Sequence, residues 1–277
     1  MSSQPKTAFV HLLPVLASLL FGLLCTSVVI VSTAEIYQVT PFPEDAFGFF
    51  GPFGNAFYFV ILVAVGATLV YLLIKRKSHR LIAMITGFAL TAAFLALSIF
   101  YVSAAVSGLD VPFSDVLVLT TAVVLTVFGD YVVFRGGGKL SSVVLLGLGG
   151  ALGSFLGISI PATSAIAILV FLAIYDVFAV YRGPVGKIAQ SGLEQLKGLS
   201  FSFRDIQMGL GDLTFYSMLS TFMLIEYGPF SCVASVVGIL VGCVLSFRML
   251  EKKGMFPGLP FSTFLGLLLG FLVSTIS

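Results

Sequence analysis

The sequence predicts an all-α membrane protein of nine spanning helices, with its N-terminus in the cytoplasm and its C-terminus outside. Three observations carry that expectation: composition, the spacing of long apolar runs, and the segregation of charge. Of 277 residues, 58% are hydrophobic and 9% are charged, and the mean hydropathy is +1.14. A soluble domain is about 45–50% apolar and about 25% charged. A chain this poor in charge cannot cover itself with polar surface, so its solvent is lipid. Its apolar runs are too long for the strands of an outer-membrane barrel, which alternate over about ten residues.

A spanning helix takes about 20 mostly apolar residues. Runs of that kind lie near 9–31, 55–74, 81–107, 114–134, 141–159, 161–181, 209–227, 229–249 and 257–276. The first is too long for a signal-peptide core and lacks a small-residue cleavage site, so it reads as span one. Only "SIP" (159–161) separates spans five and six.

Charge tests this count independently. Lys6 precedes span one; Lys75, Arg76, Lys77 and Arg80 follow span two; Arg135 and Lys139 follow span four. Arg182, Lys187, Lys197 and Arg204 follow span six, and Arg248, Lys252 and Lys253 follow span eight. All 14 basic residues thus share one side, which the positive-inside rule makes the cytoplasm. The opposite loops hold Glu35, Glu44, Asp45, Asp110, Asp115 and Glu226 and no Lys or Arg.

Several features read as structural. The long outer segment 32–54, rich in Phe, Pro and Gly, suggests a membrane-surface hairpin or amphipathic segment. The cytoplasmic stretch 182–208 is the most polar of the chain, with a mixture of helical and mobile parts expected. Gly149, Gly153 and Gly157 recur every four residues on one face of span five, a pattern for close helix packing. Cys25, Cys232 and Cys243 all lie in apolar runs, an odd buried set without a CxxC pair, and read as small hydrophobes. A net charge of +2 with no basic stripe gives no sign of a nucleic-acid partner.

Three carboxylates remain inside apolar runs: Asp130, Asp176 and Asp212. A charged side chain at the bilayer centre costs roughly 2.5–3.5 kcal/mol even on lenient scales, so each calls for a partner or a function. Asp130, in "FGDY", lies close to Arg135 and reads as an interfacial residue that pairs or snorkels. Asp176 lies six residues before Arg182, and Asp212 eight residues after Arg204. Spans six and seven are antiparallel, so these two carboxylates reach one depth and can face each other. Two carboxyls brought together share a proton, because both cannot ionise cheaply. That arrangement suits peptide hydrolysis by an activated water without metal or cofactor. Gly209 and Gly211, around Leu210, weaken the helix start and open backbone to water and substrate. A structural acid pair is the plainer alternative.

The motifs "IYDVFAVY" (174–181), "GLGD" (209–212) and "FPGLPF" (256–261) follow one another in order. In that order, and on spans six, seven and nine, they resemble the Tyr-Asp, Gly-x-Gly-Asp and Pro-Ala-Leu motifs of the presenilin and signal peptide peptidase family, over essentially the whole chain. The resemblance implies an intramembrane aspartyl protease with Asp176 and Asp212 as catalytic dyad, no cofactor and no metal. Its substrates would be transmembrane helices in the bilayer. Tyr175 would shape the site, and Pro257, Gly258, Leu259 and Pro260 would stand for the Pro-Ala-Leu element that engages substrate. Gly258 departs from the usual Ala. The segment between spans six and seven is much shorter than in animal presenilins, with little room for their long autocleaved loop. A compact microbial, archaeal-type homologue in a cell membrane is implied. The chain then divides into 1–181 carrying Asp176, a cytoplasmic connection 182–208, and 209–277 carrying Asp212 and the Pro-Gly-Leu-Pro element.

Rival readings have specific weaknesses. A proton-coupled secondary transporter also uses paired membrane acids and broken helices, but spans one to three hold no counterpart of the later acids. No HExxH occurs for a zinc protease. A Ser-His dyad would need His11, which reads as an interfacial polar residue, since His79 sits in a basic cluster. Prepilin-type peptidases share Gly-x-Gly-Asp but not the other two motifs in this order. A non-catalytic scaffold would have no need of both acids.

Overall fold

The computed structural model describes residues 9–34, 36, 38–44, 48, 50–108, 114–136, 138–183, 200–203, 206–253 and 256–276. A 3-10 turn at Phe9–Leu12 leads into α1 (Leu13–Val31), followed by α2 (Phe50–Lys75), α3 (His79–Val106) and α4 (Ser114–Tyr131). After a π turn at Val132–Gly136 come α5 (Gly138–Ser159) and α6 (Ala162–Tyr181). A hairpin of β1 (Ser200–Phe203) and β2 (Ile206–Gly209) precedes α7 (Leu210–Lys253) and α8 (Leu259–Ser274).

Seven of these helices are long and apolar enough to cross a membrane, and α8 is a shorter apolar helix of 16 residues. Sequence spans seven and eight both fall in α7. Gly228 interrupts it at φ 83°, ψ 179°, directly before Pro229. That backbone region is open essentially to glycine alone, and Pro229 lacks the amide that would continue the helix. Two rods therefore meet there. Large apolar side chains such as Phe88, Phe128, Val143, Ile174 and Phe230 stay exposed on the helix surfaces. A water-soluble protein would bury such groups; a multi-pass integral membrane protein turns them to lipid.

Small residues decide how closely the inner helices approach. An added Cβ on Gly153 would collide with the Thr214 carbonyl, and one on Gly157 would lie 2.8 Å from the Met218 carbonyl. The glycine face of α5 therefore lies against the first half of α7. At α1, Gly150 is pressed onto the Ser18 carbonyl. Buried hydroxyls lock the same three helices: Thr26 Oγ1 lies 2.8 Å from Ser154 Oγ and 2.9 Å from Thr221 Oγ1. Bonds of this kind between helices replace the hydrophobic drive that lipid removes. Further along α7, Gly238 and Gly242 lie against the Leu265 carbonyl and the Ser262 backbone of α8.

Several expectations change. The second span begins at Phe50 rather than 55, and α8 covers less than 257–276. Glu44, in the segment 32–54, and Asn55, in the first turns of α2, are both tied to the start of α6. Glu44 Oε1 accepts the Ser164 amide at 2.9 Å and its hydroxyl at 2.7 Å, and Asn55 Nδ2 donates to Ser164 Oγ at 2.8 Å. The end of the polar connection forms the β hairpin; residues 184–199 lie outside the described residues. His11 is buried, 4% exposed. The partner of Asp130 is Thr91, whose hydroxyl donates to Oδ2 at 2.6 Å. The three cysteines are free and buried.

Candidate active site

Asp176 sits in the last turns of α6, and Asp212 is the third residue of α7, directly after the hairpin. The chain reaches this point extended because β2 pairs with β1 through Gly209, opposite Ser200. Helix starts at Leu210, so Gly209 ends a strand rather than opening the helix.

The linker before α8 comes between the two acids. The Leu259 amide donates to Asp176 Oδ2 at 3.0 Å. On its other side, a Cβ added to Gly258 would stand 3.0 Å from Asp212 Oδ2 and 3.3 Å from Tyr216 Oη. Asp176 and Asp212 thus flank one dipeptide, Gly258–Leu259. Alanine at 258 would require the carboxylate or the linker to give by a few tenths of an ångström. Glycine removes that conflict here.

The remaining sequence candidates fall around this centre. Pro257 and Leu259 are buried, and Tyr175, Gly258 and Pro260 are partly buried. Tyr175 is near enough to feel the charge of Asp176. Leu210 packs its Cδ1 3.2 Å from the Cβ position of Gly149. Gly209 and Gly211 contrast with the packing glycines. A Cβ on Gly211 would meet nothing nearer than Phe215 Cε2 at 4.0 Å, and one on Gly209 nothing nearer than Asp212 Oδ2 at 3.9 Å. Packing does not demand glycine there; open backbone beside the carboxylate is what it provides. Asp130 takes no part, being bound to Thr91. Among the described residues no group of three or more His, Cys, Asp or Glu side chains is placed to hold a metal ion.

Three residues of this centre were not anticipated. Tyr216 Oη donates to the Gly258 carbonyl at 3.0 Å, Ser262 Oγ reaches the same oxygen at 3.3 Å, and Ser246 Oγ reaches it at 3.4 Å. Tyr216 stands one helical turn beyond Asp212 and Ser262 one turn beyond Gly258, spacings that share a helix face. Ser246, from the far half of α7, carries no sequence signal.

A polytopic helical membrane protein with two acids closing on a Pro-Gly-Leu-Pro linker has the architecture of the presenilin fold. Two solved structures of a presenilin family intramembrane aspartate protease match it. One has a TM-score of 0.62 at 20% identity, covering 95% of this chain and all of that one. The other has a TM-score of 0.65 at 21% identity, covering 95% of each. In sequence, the chain is 36% identical over 126 residues to Presenilin-B of Dictyostelium discoideum. That alignment takes in 41% of this chain and 26% of the relative, so the chain spans about a quarter of the curated protein it matches. No family model matches. In fold and in the aligned sequence, the chain resembles the presenilin family.

Proposed function

We propose that this chain is an intramembrane aspartic endopeptidase that hydrolyses peptide bonds of transmembrane-helix substrates. One observation carries the reading: Asp176 and Asp212, from different helices, flank the Gly258–Leu259 peptide. In the mechanism, one ionised carboxylate takes a proton from water as its oxygen attacks the scissile carbonyl carbon. The protonated partner gives its proton to the carbonyl oxygen, forming a tetrahedral diol. Collapse breaks the C–N bond: one diol hydroxyl gives its proton to the ionised carboxylate as the leaving nitrogen takes a proton from the protonated one. The pair acts as one titrating unit.

Substrate access follows from the same elements. A spanning helix satisfies its own amides, so the scissile segment must unwind and find new partners. A strand is the natural template. Among the described residues β2 pairs on one side only, and it runs into Gly209, Gly211 and Asp212. We assign docking of the extended segment to this strand and to Pro257–Pro260. Nine crossings, with the N-terminus cytoplasmic and the chain divided at 181 and 209, fit the break at Gly228 and the one-sided basic residues. A proton-coupled transporter, the other use of paired acids, has no observation in its favour.

The test is incubation of purified protein with a labelled membrane-helix peptide, with and without an aspartyl-protease transition-state inhibitor. Asp176→Asn and Asp212→Asn should each lower cleavage by at least about 10²-fold, the low end of what a positioned acid or base contributes. Full cleavage by either variant sinks the dyad assignment. Carboxylate-dependent proton-coupled uptake without cleavage would establish the transporter instead.

A further inference from the structure

The three hydroxyls on the Gly258 carbonyl have a consequence for Asp176. A peptide unit is planar, and in the trans form its C=O and N–H point in opposite directions. The structure contains no cis peptide bond among the described residues. The Gly258 carbonyl and the Leu259 amide belong to one such unit. Whatever holds the carbonyl therefore aims the amide. Here the carbonyl is held by Tyr216, Ser246 and Ser262, and the amide is on Asp176 Oδ2 at 3.0 Å. The three hydroxyls come from the first half of α7, its second half, and α8. The three donors are themselves buried: Tyr216 is 3% exposed, Ser262 0% and Ser246 5%. A carbonyl offers two lone-pair directions; Tyr216 takes one at 3.0 Å, and the longer Ser246 and Ser262 contacts at 3.4 and 3.3 Å restrict its turning.

We propose that Tyr216, Ser246 and Ser262 form a hydroxyl clamp that fixes the Gly258–Leu259 peptide plane and so positions the Asp176 carboxylate relative to Asp212. The clamp belongs to the site assigned to peptide hydrolysis and rests on that reading. Its members are positioning residues: each acts on Asp176 through the linker. Tyr216 matters most, because it has the shortest bond and stands on the Asp212 helix, so it ties the linker directly to the second acid. The two serines hold the same oxygen from the opposite helices and keep the plane from turning about the Gly258 backbone.

The experiment combines amide exchange with turnover in the full-length protein. Wild type, Tyr216→Phe and the double variant Ser246→Ala/Ser262→Ala are compared with Ser246→Thr, which keeps the hydroxyl. Hydrogen exchange at Leu259 should accelerate about tenfold or more in the first two variants and stay near wild type in Ser246→Thr. For the labelled membrane-helix peptide, kcat should fall about tenfold in the same two variants with KM within twofold and with the thermal midpoint little changed. Unchanged Leu259 exchange in both clamp variants overturns the clamp, whatever the activity. Faster exchange with unchanged kcat overturns its role in positioning Asp176. A loss of kcat that follows a lowered thermal midpoint in both variants assigns the hydroxyls to packing instead. If wild type itself does not cleave the peptide while exchange responds as expected, the protease reading has failed and the catalytic role of the clamp falls with it. The double variant keeps the test open if Tyr216→Phe does not fold.

Discussion

At Gly153 and Gly211 the same residue type serves opposite ends. A Cβ on Gly153 would strike the Thr214 carbonyl and come within 2.6 Å of Ser217 Cβ, so it has nowhere to go without parting α5 from α7. Gly153→Ala should therefore lose about 1–3 kcal/mol, the usual cost of overpacking a tight interior. At Gly211 there is room, and alanine is the better helix former. Gly211→Ala should leave stability within about 0.5 kcal/mol of wild type. It should nonetheless slow peptide cleavage, because the added methyl covers backbone beside Asp212. Thermal unfolding in detergent and turnover, measured on both variants, separate a glycine of the fold from a glycine of access. Equal destabilisation of the two would contradict this division. Both glycines were visible as motifs in the sequence, yet their different duties were not, since spacing records which face a residue shares and not what lies opposite it.

Among the elements, α6 shows how an outer loop supports the helix that carries Asp176. Pro161 at its N-cap makes no side-chain cap bond. Glu44 supplies one from far away in sequence, accepting the Ser164 amide in the first turn. A carboxylate suits the positive end of a helix. Partial burial pushes the Glu44 carboxyl up, but hydrogen bonds from the Thr163 and Ser164 hydroxyls and the Ser164 amide outweigh it, leaving the group below its ordinary value of 4.5. A carboxyl whose folded pKa is depressed lends stability that is fully present above its unfolded pKa. That stability is lost as pH falls from near 4.5 through the lower folded value. Glu44→Gln should cost about 1 kcal/mol or less at pH 7, as for a partly exposed cap. It should also flatten the fall in thermal midpoint between neutral pH and pH 3. An unchanged midpoint-versus-pH curve would show the cap to be idle. The sequence marks Pro161 as a boundary but not Glu44 as its cap, because the contact spans 120 residues.

Over the whole molecule, the one-sided distribution of Lys and Arg and the break at Gly228 point to an odd number of crossings. The prediction belongs to the termini. All three native cysteines are buried, so introduced ones report with little background. Thr275→Cys, at the exposed end of α8, should react with an impermeant maleimide in intact cells. Lys139→Cys, in the first turn of α5, should react only after permeabilisation. Labelling of both from the same side would mean that α7 does not cross twice. Much of the arrangement was legible beforehand: the helices lie close to the apolar runs, and the acids of α6 and α7 come to the same linker. What was not legible is which helices touch most closely and what stands between the acids.

The sequence by itself determined that the chain lives in lipid, roughly where each helix runs, and which two acids to look for near one another. Those follow from costs paid residue by residue: apolar length against bilayer thickness, and the expense of a carboxylate in hydrocarbon. Tertiary structure alone decided that Asp130 belongs to Thr91, that Glu44 caps α6, and that Tyr216, Ser246 and Ser262 converge on one carbonyl between Asp176 and Asp212. A hydrogen bond depends on the position of two atoms to within a few tenths of an ångström, and its partners here lie 4 to 120 residues apart. Only the packed helices bring such atoms to one point.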